Sequence, residues 1–199
     1  AHIDSFIESP GKVWEMMREM NKVIGDAAPN DGHKALADLE AMGVIRTVIT
    51  QNVDNLHQAA GSRDVIEYHG NHTKLVCLKC GWKISVTEME SSAGEDEPWP
   101  PRCRLCNTIL KPDVTLFGEQ PPLDAMERAQ QHASKAEIVL VVGTSATVVP
   151  AAYLPYITKK TGGRIIEVNL TRTQLSDMAD LTITGGSSEV LPELVNEIK

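Results

Sequence analysis

Val13, Met16, Met17, Met20, Val23, Ile24 and Ala27 recur at three- and four-residue steps. That spacing predicts an amphipathic helix, with Pro10 and Gly11 ahead of it and Pro29 closing it. A second helix is predicted after Asn30-Asp31, a pair suited to capping a first turn. It runs through Ala35, Leu36, Leu39 and Met42 to a stop at Gly43. The period then changes. Val44-Ile45-Arg46-Thr47-Val48-Ile49-Thr50 is a β-branched run, as in a strand buried in a parallel sheet. Residues 138–142 and 164–168 form two further runs of this kind, with a helical stretch at 150–160 between them. A short strand at 181–184 precedes a last helix at 188–198. Strands alternating with helices in this way predict an α/β fold with a Rossmann-like, doubly wound parallel sheet.

Residues 71–111 break the rhythm. They hold all four cysteines, short polar strands and a loose acidic tract at 91–98. They read as a small inserted zinc-binding module, leaving 1–70 and 112–199 to the sheet domain. Cys77-Leu78-Lys79-Cys80 and Cys103-Arg104-Leu105-Cys106 each place two thiols within reach of one metal. Together they make a closed four-sulfur zinc site, structural because no coordination position stays open. The N-terminal Ala1-His2-Ile3-Asp4-Ser5 carries no secretory pattern, which favours a reducing compartment and metal ligation over disulfides.

Other motifs sit where predicted strands end. Thr50-Gln51-Asn52-Val53-Asp54 follows the first strand, and ligands of open α/β sheets bind beyond the carboxyl ends of strands. Alone, it also reads as a polar loop in which Asp54 caps a short helix at 55–60. Glu67-Tyr68-His69-Gly70 leaves His69 at a loop, where an imidazole suits a general base. Alone, His69 reads as a structural histidine among six. Gly143-Thr144-Ser145 closes the most apolar strand, and its small residues let backbone N–H groups approach a phosphate or ribose. Asn169 sits similarly after Val168. The run from Lys111 to Glu119 leaves the cysteine module as a strand whose edge can take an extended peptide. Phe117 is either an apolar wall for that peptide or a core residue.

Composition narrows the partners. A hydrophobic fraction of 42% and a charged fraction of 23% are those of an ordinary globular protein, and the absence of a long apolar run argues against a membrane span. The net charge is −8 without a Lys/Arg stripe, which argues against nucleic acid as the principal partner. The same acidity suits a Lys-rich peptide, and equally serves solubility alone.

Taken in order, T-Q-N-V-D, E-Y-H-G, the two C-x-x-C pairs, L-F-G-E, V-G-T-S and V-N resemble the sirtuin family, the NAD-dependent protein-lysine deacylases. The resemblance runs from about Pro10 to the C-terminal helix. It implies NAD as co-substrate, one structural zinc on Cys77, Cys80, Cys103 and Cys106, and acylated lysine peptides as partners. His69 matches the family's general base. Asn52 matches the residue holding the ribose and an ordered water, and Asp54 matches the partner of the nicotinamide carboxamide. Gln51 matches a ribose contact, and Val53 lies in the same cofactor-binding stretch. Gly143, Thr144, Ser145 and Asn169 match the adenosine side, with Leu170 and Ser187 completing the implied cofactor set. Gly118, Glu119 and Val148 match segments between which the peptide adds a strand, and Phe117 matches the wall of the acyl-lysine tunnel. Thr115 departs from the pattern, standing where many relatives carry valine.

The implied reaction starts with attack of the acyl oxygen on ribose C1′ as nicotinamide leaves. His69 then deprotonates a ribose hydroxyl, and the acyl group departs as O-acyl-ADP-ribose. Water must be kept from the cationic centre. Family members specialised for acidic acyl groups carry a Tyr and an Arg where this chain has Met17 and Met20, so neutral acyl groups are expected. Alternative expectations are mono-ADP-ribosyl transfer, or a non-catalytic zinc-stabilised scaffold that binds acylated peptides. A monomer in the cytoplasm, or the nucleus of a eukaryote, is expected, without membrane or direct nucleic-acid binding. The family's opening strand, Gly-Ala-Gly-x-Ser turn and Gly-Ile-Pro-x-Phe-Arg loop do not occur in the sequence. The chain by itself is therefore expected to bind NAD poorly and to leave strand edges open, and the natural protein is expected to contain more residues.

Overall fold

The computed structural model describes residues 1–92 and 99–199. Most of the acidic tract expected at 91–98 lies outside the described residues. The elements in chain order are α1 (Ile3–Glu8), α2 (Pro10–Gly25), α3 (Asp31–Ala41), β1 (Val48–Thr50), α4 (Leu56–Ala60), β2 (Val65–Glu67), β3 (Gly70–Val76), β4 (Lys83–Ser85), α5 (Val86–Ser92), β5 (Lys111–Val114), α6 (Leu123–Lys135), β6 (Ile138–Val142), α7 (Leu154–Lys160), β7 (Arg164–Asn169), β8 (Leu181–Thr184) and α8 (Ser187–Ile198). No helix among the described residues is long and apolar enough to cross a membrane.

These elements divide into two compact units. One comprises residues 1–27, 52–54 and 69–122, and the other residues 28–51, 55–68 and 123–199. The division differs from the expected 71–111 module within a 1–70 and 112–199 domain: the first two helices fold with the cysteine segment. The reason is packing. Phe6, Val13, Trp14 and Met17 share one core with Leu75, Cys77, Cys103, Leu110 and Leu116, and the Trp14 indole N–H donates to the Leu110 carbonyl at 2.9 Å.

In this first unit β3 is the central strand of an antiparallel sheet, ordered β4-β3-β5. Pro10 and Gly11, expected ahead of the helix, lie inside α2, with Pro10 in its first turn. Proline is tolerated there because its missing N–H would have had no helical partner. Helix α1 carries a single buried apolar residue, Phe6, too little to register as periodicity.

In the second unit β6, β7 and β8 pair in parallel with β7 at the centre. Consecutive residues of these strands serve opposite faces. Leu140, Val142, Val168 and Ile183 pack with Leu39, Leu191 and Val195 of α3 and α8, whereas Val139, Val141 and Ile165 pack with Leu175. Both faces are covered, which is why β6 reads as an unbroken apolar run, Ile138 to Val142. Strands β1 and β2 form a separate parallel ladder, and among the described residues none joins it to β6. The run at 44–50 yields only three strand residues, because the Val44 and Ile45 amides are drawn back to the Leu39 carbonyl at the end of α3. That helix begins as expected, with Asn30 and His33 forming a reciprocal cap. Helix α6 buries alanines where most helices bury large apolar residues, and its Leu123 faces solvent. Ala125, Ala129 and Ala133 form its buried face, which packs against Ile66 and Tyr68.

Asp180 ties this unit together. Its carboxylate accepts from Lys159 Nζ of α7 at 2.7 Å and from the Ile165 amide of β7 at 2.8 Å. The Lys159 hydrogen bond, with the Ile165 amide second, holds the Asp180 carboxyl below its ordinary value of 3.8. A depressed folded-state value contributes stability that is complete above the unfolded value and lost as pH falls through the folded one. Asp180→Asn is therefore expected to lower Tm at pH 7. The gap to the parent protein should narrow below about pH 4, as thermal melts across pH 7 to 3 would read.

Candidate active site and cysteine centre

The two cysteine pairs are built as matching turns. The Cys77 amide donates to the Trp82 carbonyl at 2.8 Å and the Gly81 amide to the Cys77 carbonyl at 2.9 Å. The Cys103 amide donates to Thr108 and the Asn107 amide to Cys103, each at 2.8 Å. Each turn needs a left-handed residue after its second cysteine, supplied by Gly81 at φ 74° and Asn107 at φ 60°. Glycine and asparagine are the residues that take this conformation most readily.

The four sulfurs lie within 4.8 Å of one another. Cys77 to Cys106 is 3.4 Å, Cys80 to Cys103 3.6 Å and Cys106 to Cys80 3.8 Å. A tetrahedron with Zn–S bonds of about 2.3 Å has edges of about 3.8 Å, so the donor set fits one zinc ion. Four protein ligands leave no open position, so the ion is structural. Cys77 and Cys103 are buried in the first unit's core. The Thr108 hydroxyl, then its backbone, holds Cys106 down to about 6. At Cys80 the Trp82 backbone hydrogen bond acts to lower the value, but burial and the three neighbouring sulfurs outweigh it and push the thiol up to about 12.

Asn52 and Asp54 fall in the same compact unit as His69, although residues 55–68 between them belong to the other. Between Asn52 and Asp54, the Val53 carbonyl accepts from the His72 amide at 3.1 Å and faces His72 Nδ1 at 2.5 Å. His69 directly precedes β3, and its carbonyl accepts from the Thr115 amide at 2.8 Å. Asn52 is exposed, and Asp54 and His69 are half-buried. The N-cap of α4 is Asn55, with φ 62°. Gly70 is required here: at φ 80°, a Cβ would stand 2.0 Å from the Asp113 carbonyl oxygen.

The strand expected over 111–119 ends at Val114. Beyond it Leu116 is buried, whereas Phe117 is 68% exposed, which rules out Phe117 as a core residue. The backbone of Phe117 is held by the chain's first residues: its amide donates to the Ala1 carbonyl and its carbonyl accepts from the Ile3 amide. Gly118 takes φ 86°. The role of the N-terminal segment here was missed from sequence, since extended pairing over three residues leaves no periodic mark.

In the second unit the carboxyl ends of the parallel strands gather small and polar groups. Asn169 Nδ2 donates to the Thr144 carbonyl at 2.7 Å, the Leu170 amide to Asn169 Oδ1, and Gln51 Nε2 to Thr144 Oγ1 at 3.4 Å. Ser145 and Thr147 share a hydroxyl–hydroxyl hydrogen bond, Val148 is exposed, and Ser187 opens α8. Gly143 takes φ 61°, and nothing lies within 4 Å of where its Cβ would be. Gly143 thus stands at the carboxyl end of a parallel strand, where open α/β sheets bind their ligands.

A parallel α/β unit with such strand tips, and a unit built on a four-thiolate centre and a histidine loop, define a nucleotide-binding protein with a structural metal. The Sir2 family model matches residues 1–150. The NAD-dependent protein deacylase of Thermococcus kodakarensis is 46% identical over 199 residues, covering 98% of this chain and 77% of the relative. A solved structure described as Sir2-p53 peptide-NAD+ matches with TM-score 0.89 and 37% identity over 98% of this chain and 81% of that one. A second, Sir2 with the inhibitor EX-527, 2′-O-acetyl-ADP-ribose and deacetylated p53 peptide, matches with TM-score 0.89 and 37% identity, covering 98% and 83%. The chain belongs to the Sir2 family, the sirtuins.

Two outcomes are expected. Elemental analysis should find one zinc per chain, lost in Cys103→Ser and on acidification, since the ligands bind as thiolates. Gly70→Ala should destabilise the protein by more than about 2 kcal/mol, measured by chemical denaturation, because strain and overlap with Asp113 combine.

Proposed function

We propose that this protein is an NAD-dependent protein-lysine deacylase, with NAD consumed as co-substrate and the zinc serving structure alone. One observation carries the reading. Gly70 and the β3–β5 pairing hold His69, Val53 with its flanking Asn52 and Asp54, and the Phe117 segment in one unit with the sulfur cluster. The relative from Thermococcus kodakarensis bears the name of that activity, and the structural neighbours hold NAD, peptide and an acetyl-ADP-ribose product.

In this reading His69 is the general base toward the ribose hydroxyls, Asn52 holds the ribose and an ordered water, Asp54 partners the nicotinamide carboxamide, and Gln51 contacts the ribose. Gly143, Thr144, Ser145, Asn169, Leu170 and Ser187 hold the adenosine portion, supported by the open space at Gly143. The acyl-lysine peptide pairs along Gly118, Glu119 and Val148, and the exposed Phe117 ring flanks its aliphatic stem. NAD supplies the electrophilic sugar carbon, and the residues bind, orient and move a proton. Neutral acyl groups are preferred, since Met17 is buried in the core and Met20 brings no cation for an acyl carboxylate. The protein acts as a monomer in the cytoplasm, without nucleic acid.

With NAD and an acetyl-lysine peptide, the protein should release nicotinamide and acetyl-ADP-ribose, read by chromatography, and turn over succinyl-lysine more slowly. His69→Ala should reduce kcat about 10²- to 10⁴-fold, the range for loss of a positioned general base. Transfer of label from NAD onto protein in place of acetyl-ADP-ribose formation would overturn the reading in favour of ADP-ribosyl transfer.

A further inference from the structure

Lys111 opens β5, pairs with Val76 in the β3–β5 ladder, and has a side chain only 4% exposed. A buried lysine needs partners for its charge and for each of its three N–H donors. The structure provides three acceptors: the Pro112 carbonyl at 3.1 Å, the Val114 carbonyl at 2.6 Å and Glu119 Oε2 at 3.0 Å. Glu119 Oε2 also accepts from the Leu116 amide at 2.8 Å, and the Glu119 amide donates to the Leu116 carbonyl at 3.0 Å. The ammonium thus joins the end of β5 to the chain five positions further on, closing 114–119 into a ring. Val114 and Leu116 point into the core, and Phe117 and Gly118 stand out of it.

We propose that Lys111 is a positioning residue for the acyl-lysine peptide. Through Glu119 it locks the 115–119 segment in the backbone conformation along which that peptide pairs. The proposal rests on the deacylase reading. Stability alone does not explain the pair, because a buried ion pair is on average no more stabilising than apolar residues of similar size. What the pair provides is geometry. It fixes a segment whose exposed Phe117 has no core of its own to settle into, so the peptide meets a preformed edge and does not itself bear the cost of ordering it.

The test compares the parent protein, Lys111→Met, Lys111→Arg and the double variant Lys111→Met with Glu119→Met. KM for an acetyl-lysine peptide and for NAD, zinc content, and hydrogen exchange of the 115–119 amides are measured on each. Lys111→Met is expected to raise the peptide KM about tenfold and to speed exchange at 115–119, with NAD KM changed less than about twofold. Lys111→Arg keeps a cation for Glu119 and should restore most of the loss. Should Lys111→Met fail to fold, the double variant leaves no unpaired buried charge and should show the same rise in peptide KM. An unchanged peptide KM in a folded variant, or equal rises for peptide and NAD, overturns the clamp. All variants are made in the natural protein with every residue it contains; absence of nicotinamide release by that parent overturns the deacylase reading itself, and is seen before any substitution is made.

Discussion

The pairing of β3 with β5 is the constraint on which the candidate chemistry depends. It requires a residue without a side chain at position 70, because the Asp113 carbonyl fills the space a Cβ would take. Once that contact forms, His69 is held by Thr115, and Val53 is held by His72 on the same strand. The Phe117 segment then leaves β5 from a fixed point, and the two cysteine turns hang from the far ends of the paired strands. Glycine does more here than ease a turn. It lets the Asp113 backbone take the space of a Cβ, and a loop histidine that local sequence leaves ambiguous is tied to the end of β5 through Thr115.

Metal and hydrophobic core cooperate in that unit. Cys77 and Cys103 are simultaneously core residues and metal ligands, so the zinc anchors the apolar cluster that includes Trp14, Leu110 and Leu116. The ion supplies no chemistry, yet the strand that His69 directly precedes runs into the first cysteine turn. Structural metals act this way when four ligands close the coordination sphere: they supply folding energy and no open site for chemistry.

The second unit obeys a different logic. Its strands are covered on both faces, so their carboxyl ends are where polar groups can meet a ligand. Gly143, Thr144 and Asn169 gather there because parallel pairing in register aligns the ends of β6 and β7. Asn169 and Gln51 both donate to Thr144, to its carbonyl and its hydroxyl, and so hold the tip in place.

The sequence by itself determined the parts whose signal is local. The paired cysteines announced their metal because ligand spacing is set by one turn of chain. The apolar run at 138–142 became a strand at that position, and the short strand expected at 181–184 formed with the bounds expected. Family resemblance supplied the roles of Asn52, Asp54 and His69, which no local pattern specified. Tertiary structure decided the rest. It placed the first two helices with the cysteine segment, because Phe6, Trp14 and Met17 find their apolar partners there and not on the sheet. It built α6 on alanines too small to mark a periodic face, cut the first strand short where α3 recaptures the chain, and left Phe117 in solvent. It also gave Lys111 three acceptors from residues that follow it. In the sequence that residue is one more lysine, and only the fold shows that its charge is buried and matched.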